Sequence, residues 1–241
     1  MDGNGRWAQR QGMLRTRGHR AGSDAVRRTV TACRRLGIEA LTLYAFSEQN
    51  WGRPRIEVDA LMALLKEFLV SERAELLDNG VRLRSIGRRE RLPDDVGAVL
   101  DEVMDATSNL GRMTLTLALS YGGREEIADA ARDVARKAAA GELDPADIDE
   151  TLFGQALPSM AVGPVDLLIR TSGEQRVSNF LLWSTAYAEL FFSDTLWPEF
   201  EEADLYEAIA SYQKRERRFG QVSAATAPEE SRPVVSDTAH V

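Results

Sequence analysis

The sequence predicts an α/β protein built on an open, mainly parallel sheet with helices on both faces. Apolar runs of strand length alternate along the chain with segments whose apolar residues recur every three or four positions, as in amphipathic helices. The runs show no sustained polar alternation, which is typical of strands buried on both faces. Because parallel neighbours need crossover connections and helices supply them, this alternation indicates a parallel sheet. The 241 residues suit one domain with a sizeable core.

The first predicted helix begins at Ser23 or Asp24, whose side chains can cap it, and Gly37 is placed to end it. Residues 38–46 follow as a strand rich in apolar and β-forming side chains. The later helices are predicted over residues 57–79, from about 93 onward, 124–140, 148–156 and 203–218. The later strands are predicted over residues 81–86, 113–120 and 165–170. Residues 221–241 lack periodicity and are expected to form a disordered tail.

Net charge argues against one class of partner. The chain has 30 basic and 38 acidic side chains and a net charge of −8, so binding to nucleic acid through summed positive charge is not expected. Residues 1–35, however, contain nine arginines and only two aspartates. A local basic patch on an acidic protein indicates a compact anionic ligand. For Arg27, Arg28, Arg34 and Arg35 a solvated helix face remains an equal alternative.

Membrane and secretion signals are not evident in the sequence. The longest apolar stretches, residues 41–46 and 113–119, fall far short of the ~18 residues that a membrane-spanning helix needs. No apolar segment of signal-peptide length follows the N-terminus, and Cys33 has no second cysteine in the chain for a disulfide. We therefore expect a cytoplasmic protein.

The segment from Gly3 to Ala8 fits the loose dinucleotide-binding pattern G-x-G-x-x-G/A. That fingerprint also requires an acidic residue about 20 positions further along the chain, whereas this region is rich in arginine. A dehydrogenase-like protein is therefore disfavoured, although a plain glycine turn remains open for this segment taken alone.

A phosphate site is favoured by the residues around that glycine turn. Arg6, Arg15 and His19 follow it, and backbone N–H groups at glycines and helix starts can approach a phosphate closely. Asp2 could hold a divalent cation that bridges the same phosphates. The first loop is therefore predicted to bind a diphosphate together with magnesium.

Two further polar loops follow predicted strands. In residues 170–179, Arg170 and Arg176 flank hydroxyl groups and a glycine, a suitable fork for an anion, although a structural pair of Arg170 with Glu174 remains open. In residues 47–54, Trp51 and Arg53 accompany polar side chains, and a tryptophan alone is more often core. A third polar run, residues 120–124, follows the predicted strand 113–120. Because ligands bind at the C-terminal ends of parallel strands, the runs 47–54, 120–124 and 170–179 are expected to converge.

These segments together resemble the cis-prenyltransferases, the undecaprenyl diphosphate synthase family, over nearly the whole chain. The resemblance covers residues 1–220, which would form one catalytic domain. The matching segments are residues 1–8, 17–22, 43–47, 50–54, 120–124, 166–183, 186–189 and 217–220. They stand in the family's order and at its spacing.

The resemblance implies an enzyme that condenses an allylic diphosphate, usually farnesyl diphosphate, with successive isopentenyl diphosphates, forming cis double bonds with Mg²⁺. It implies catalytic roles for Asp2 and Asn50 and a metal-binding role for Asp2 and Glu189. The residues that would bind the allylic diphosphate are Gly3, Asn4, Gly5, Arg6, Trp7, Arg15 and His19. Arg170, Arg176 and Ser178 would bind isopentenyl diphosphate, and Ser47, Asn50, Trp51 and Arg53 belong to a loop that closes over the substrates.

Two departures from the family pattern stand out. Family members carry an apolar strand directly before the loop of Asp2, whereas this chain begins at the loop, so the first strand is expected to be missing and Asp2 poorly anchored. A truncated or misassigned start is the favoured explanation. Gln49 stands where the family commonly has glutamate, which removes no residue assigned to phosphate.

The favoured hypothesis is therefore a homodimeric cis-prenyltransferase with peripheral attraction to the membrane through its lipid product. The alternative is a non-catalytic partner subunit of such an enzyme, which would keep the fold and the dimer surface. Retention of Asp2, His19, Arg170, Arg176 and Ser178 argues against this alternative. The length of the product is not readable from the sequence.

Overall fold

A three-stranded parallel sheet, in the order β1-β3-β2, forms the centre of the computed structural model, which describes residues 1–215. Its strands are β1 (Ala40–Ser47), β2 (Val81–Ile86) and β3 (Met113–Tyr121). A second parallel sheet pairs β4 (Leu167–Arg170) with β5 (Glu189–Phe192). All three strand pairings within the described residues are parallel, as the alternating sequence predicts.

Seven α-helices lie within residues 1–215. They are α1 (Asn4–Arg10), α2 (Arg15–Arg35), α3 (Arg55–Asn79), α4 (Asp94–Ala106), α5 (Gly123–Ala139), α6 (Glu150–Gln155) and α7 (Glu202–Gln213). The strongly periodic segments match the prediction closely: α3 begins two residues earlier than expected and ends at the same asparagine. Gly80 takes a left-handed φ of 70° directly after α3, which explains the stop.

Side chains from alternate positions of the central strands enter two different cores. Leu115, Leu117 and Leu119 of β3 pack in the larger core with residues of α2, α3, α4 and α7. Ala118 points to the other face and packs in a smaller core with Tyr121 and Leu181. Because successive side chains of a strand point to opposite faces, this distribution shows that both faces of the sheet are covered.

Three expectations differ from the structure. The first long helix begins at Arg15 rather than at Ser23 or Asp24, and α1 precedes it. Residues 15–22 carry little apolar periodicity, so tertiary packing rather than sequence pattern makes them helical. This part of α2 packs closely on α1, because a Cβ on Gly18 would lie only 1.9 Å from the main-chain oxygen of Asn4. The strand β5 was not predicted, because it begins with a glutamate, a residue that is depleted in strands.

The predicted single sheet is divided into two sheets in the described part of the chain. There β1 pairs with β3 alone and β4 pairs with β5 alone, so each keeps one edge without a partner strand. The residues of both strands line a common cavity between the sheets. The predicted end of the last helix, the segment 217–220 and the tail 221–241 lie outside the described residues.

Candidate active site

One large cavity receives residues from the loop of Asp2 and from all three polar runs that the sequence predicts to converge, residues 47–54, 120–124 and 170–179. Its volume is about 1740 Å³. The predicted site residues that line it are Asp2, Gly3, Asn4, Gly5, Arg6, Arg15, His19, Ser47, Asn50, Arg53, Arg170, Arg176 and Ser178. Trp7, Trp51 and Glu189 do not line it. Apolar side chains of β1 and α3 form its deeper wall.

Asp2 is firmly held at the end of β4. Its main-chain N–H donates to the hydroxyl of Thr171 at 2.9 Å, and its carbonyl oxygen accepts from that hydroxyl and from the main chain of Trp197, each at 2.9 Å. The expectation that Asp2 is poorly anchored is therefore wrong, because the segment after β4 fixes its backbone.

The carboxylate of Asp2 faces two arginines. Arg170 donates to it at 3.0 Å, Arg6 lies 3.6 Å away, and the N–H of Gly3 donates at 2.7 Å. Burial alone would raise the pKa of Asp2, but these donors outweigh burial and place that pKa below its ordinary value. The group is therefore an anion at neutral pH, as a ligand for a cation must be.

A second carboxylate, that of Glu57 on α3, lies among the cations near the first loop. Its distances are 3.1 Å to Arg53, 3.5 Å to Arg15 and 3.8 Å to Nε2 of His19. Sequence reasoning missed Glu57, although its spacing of four residues from Arg53 at a helix start was a usable signal.

His19 is neutral at pH 7. Burial and then the charge of Arg53 lower the pKa of His19 to about 4. Its Nε2 is buried and has no hydrogen-bond partner within residues 1–215, and the same holds for Oδ1 of Asn4. Two buried polar atoms without a partner therefore belong to residues in the wall of the cavity.

The close approach of α1 to α2 depends on two glycines one turn apart. A Cβ on Gly22 would lie 2.3 Å from Oδ1 of Asn4, just as one on Gly18 would overlap the main chain of Asn4. These glycines let the first loop lie directly against α2, which carries His19. The arrangement brings Asn4, Arg15 and His19 to one wall of the cavity.

The loop after β4 bends through several left-handed residues. Ser172, Ser178 and Asn179 have φ values of 76°, 49° and 64°, a conformation that costs energy for residues other than glycine. The bend turns the hydroxyl of Ser178 toward Arg170, which donates to it at 2.5 Å and also to the main-chain oxygen of Arg176.

Glu174 pairs with Arg176 at 2.5 Å and with Arg6 at 3.4 Å, and Arg170 pairs with Asp2 instead. The structure therefore does not contain the Arg170–Glu174 pair that the sequence left open. Arg6 also donates to the main-chain oxygen of Ser172 at 3.1 Å and to its hydroxyl. The first and second anion loops, far apart in sequence, are therefore joined directly.

The third loop is a 3₁₀ turn, Glu48–Gly52, that follows β1. The side chain of Asn50 accepts a hydrogen bond from the main chain of Ser47 at 3.0 Å, which closes the start of the turn. Trp51 packs edge-on against Phe46 with ring centres 4.9 Å apart, and it is a half-buried residue at the side of the larger core.

Glu189 lies at the opposite end of the second sheet from the Asp2 site. In the register of β4 and β5 it pairs with Leu167, three residues or roughly 10 Å along the strand from Arg170. Its carboxylate accepts from Arg215 at 2.6 Å. Residues 1–215 contain no cluster of three or more His, Cys, Asp or Glu side chains suited to a metal.

Comparison with known proteins identifies the family. Residues 1–220 match the family model of the undecaprenyl diphosphate synthases. The chain belongs to this family. An isoprenyl transferase of Chlorobaculum tepidum is 52% identical over 92% of this chain and 84% of its own length. A (2E,6E)-farnesyl-diphosphate-specific ditrans,polycis-undecaprenyl-diphosphate synthase of Xanthomonas axonopodis pv. citri is 49% identical over 94% of this chain and 88% of its own length.

A solved structure of a family relative supports the fold. Lavandulyl diphosphate synthase from Lavandula x intermedia, crystallised with dimethylallyl diphosphate, matches with a TM-score of 0.88 and 39% identity. The match covers 92% of this chain and 95% of that one. Family membership and the α/β fold with parallel sheets are therefore confirmed. No helix within the described range is both long and apolar enough to span a membrane.

Proposed function

We propose that this protein is a cis-prenyltransferase that elongates an allylic diphosphate, with farnesyl diphosphate as the expected primer, by successive isopentenyl units. The observation that carries the proposal is the contact between the two anion loops, where Asp2 and Arg170 meet at 3.0 Å over an apolar cavity. The names of the relatives from Chlorobaculum and Xanthomonas support the same reaction.

The two diphosphates would occupy neighbouring sites. Arg15, Arg53 and the neutral His19 line one part of the cavity and suit the allylic diphosphate. Arg170, Arg176 and the hydroxyl of Ser178 suit the diphosphate of isopentenyl diphosphate. Holding both substrates converts a bimolecular step into a reaction between oriented neighbours, which is worth several kcal/mol of barrier.

In the reaction, the bond between allylic C1 and the diphosphate oxygen breaks, C1 bonds to C4 of isopentenyl diphosphate, and C2 of the isopentenyl unit loses a proton. Negative charge grows on the departing diphosphate, and Arg6 and Arg15, which line the cavity, would stabilise it. Asn50 lines the cavity in the turn after β1, and its side-chain NH₂ group would hydrogen-bond a bound substrate.

Asp2 fits a role toward Mg²⁺. Magnesium is commonly bound through one or two carboxylates plus the phosphates of a substrate, and Asp2 is an ionised, half-buried carboxylate beside both anion loops. When bound, the metal would neutralise charge on the departing diphosphate. Glu189 lies too far from Asp2 to share one ion with it inside a single chain, so its metal role stays a prediction, as do the homodimer and the peripheral membrane contact.

The test is incubation of the purified protein with farnesyl diphosphate, radiolabelled isopentenyl diphosphate and Mg²⁺, followed by chain-length analysis of the products. We expect a polyprenyl diphosphate whose formation stops when EDTA is added. A second incubation, with dimethylallyl diphosphate as the sole substrate, tests whether the protein instead acts on the ligand found in the lavandulyl diphosphate synthase structure. Absence of labelled product with every allylic primer would overturn the proposal, and a dimethylallyl product in place of elongation would redirect it.

We also propose that an additional strand belongs between β1 and β4. Both strands have an edge without a partner within the described residues, and the residues of both line the same cavity along their lengths. The cavity of about 1740 Å³ exceeds the roughly 300–1,000 Å³ usual for a ligand pocket. Met1, which packs against the larger core beside Asp2, marks where such a strand would join the chain.

A variant extended before Met1 by an apolar segment of about five residues, a typical strand length, should be more stable and more active. The added strand would pair both free edges and bury apolar side chains, and each 1 kcal/mol gained raises Tm by about 2–4 °C in a chain of this size. We expect a rise of at least about 5 °C in a thermal melt. The control is an extension of equal length made of Gly and Ser, and equal Tm and turnover for both extensions would contradict the proposal.

A further inference from the structure

The turn that carries Asn50 is fastened to the rest of the protein from outside the cavity. Four residues that we call the Glu48 clasp, namely Glu48, Trp51, Arg91 and Ser120, form a closed set of contacts around it. The carboxylate of Glu48, 14% exposed, accepts from the hydroxyl of Ser120 at 3.0 Å and forms an ion pair with Arg91. The hydroxyl of Ser120 in turn accepts from Nε1 of Trp51 at 2.8 Å.

Arg91 closes the set of contacts. Its guanidinium lies over the indole ring of Trp51, 5.0 Å from the ring centre, while it pairs with Glu48. Arg88 adds a second cation 3.9 Å from the same carboxylate. Each side chain of the clasp therefore touches two others, so the turn is held from both of its ends.

The clasp is anchored to a rigid part of the sheet. Ser120 lies near the end of β3, is 1% exposed and has a φ of 47°, which is unusual for a serine. Its main-chain oxygen accepts from Arg88 at 3.1 Å. A Cβ on Gly87 would lie 2.1 Å from the main-chain oxygen of Leu119, so the loop that carries Arg88 and Arg91 lies tightly on β3.

The position of Asn50 depends on these contacts. Asn50 lies between Glu48 and Trp51 in the sequence and lines the cavity, whereas the two flanking residues of the clasp do not. Arg53 follows the turn directly and also lines the cavity. Any movement of the turn would therefore move two groups that face the substrates.

We propose that Glu48 and Arg91 are positioning residues that set the turn of Asn50 for catalysis. This inference rests on the proposed prenyltransferase function for its kinetic consequence. Glutamine keeps the approximate size of glutamate and can still form hydrogen bonds, so the role predicts that Glu48→Gln loses rate without a comparable loss of fold. A displacement of about 1 Å in a group that orients substrate can cost up to ~100-fold in rate.

The experiment compares Glu48→Gln, Arg91→Gln and the double variant with Arg89→Gln. Arg89 is a matched control, because it lies in the same 3₁₀ turn, Arg89–Arg91, but pairs with Asp101 rather than with Glu48. We expect each clasp variant to lower kcat about 10-fold, with KM for both substrates changed less than about 3-fold. The double variant should lose no more than the worse single variant, because both act through one set of contacts.

Amide hydrogen exchange provides a second measurement that does not depend on activity. Amides of residues 48–53 should exchange at least about 10-fold faster in both clasp variants and at the parental rate in Arg89→Gln. If the protein has no transferase activity, this measurement still tests whether the clasp holds the turn. Unchanged exchange, additive losses in the double variant, or an equal loss of kcat in Arg89→Gln would each overturn the inference.

Discussion

Replacing Asp2 with alanine should lower kcat by about 10³-fold, the largest single effect that we expect. The carboxylate is ionised, lies 3.0 Å from Arg170 and contacts an arginine of each anion loop. Its contribution would grow as charge develops on the departing diphosphate, so its loss should act on the transition state rather than on substrate binding. Single-turnover kinetics measure the effect on the chemical step.

Binding of isopentenyl diphosphate should survive this change. Without the carboxylate, Arg170 loses an anionic partner and becomes freer to pair with phosphate. Calorimetry should therefore give an affinity within about 3-fold of the parent. Asp24→Ala is the matched control, since Asp24 is an exposed carboxylate that pairs with Arg27 outside the cavity. Near-normal turnover of Asp2→Ala would refute the catalytic assignment.

Arg176→Ala and Arg15→Ala should impair different substrates. We expect Arg176→Ala to raise KM for isopentenyl diphosphate and Arg15→Ala to raise KM for the allylic diphosphate, each by roughly 30- to 150-fold, the equivalent of about 2–3 kcal/mol for a charge-assisted pair. In the free protein Arg176 pairs with Glu174 and Arg15 contacts Glu57, so the two arginines occupy separate clusters.

Steady-state kinetics with one substrate varied at a time measure this separation. Arg132→Ala is a suitable control, because Arg132 is exposed on α5 and pairs with Asp129 away from the cavity. The non-target substrate should change by less than about 3-fold in each variant. An equal loss for both substrates in either variant would mean that the two diphosphates share one site.

The long periodic segments could be predicted from sequence because local pattern and final packing agree there. The strand β2 lies at residues 81–86 as expected, and α3 ends where Asn79 and Gly80 indicate. The helix α1 and the first turns of α2 could not be predicted, because glycines and arginines lack helical periodicity and only the contact between the two helices holds them. The strand β5 was not recognised, because it opens with a glutamate, a residue that is depleted in strands.

Some features of the candidate site could likewise be predicted from the sequence, and others could not. The convergence of three loops followed from strand order and the polar runs after each strand, and the structure places all three on one cavity. Individual partners could not be deduced, because they depend on contacts between distant segments. Arg170 pairs with Asp2 rather than with Glu174, and the indole N–H of Trp51 donates to the hydroxyl of Ser120.

The carboxylates of Glu57 and Glu174 have a consequence for anion selectivity. Each lies among arginines that face the cavity: Glu57 between Arg15 and Arg53, and Glu174 between Arg6 and Arg176. An incoming anion must therefore compete with a carboxylate that is already in place and tethered to the chain. A weak competitor such as chloride gains little by that exchange, whereas a multiply charged diphosphate gains several contacts at once. The two glutamates therefore bias these arginines toward anions that carry several charges and against monovalent ones.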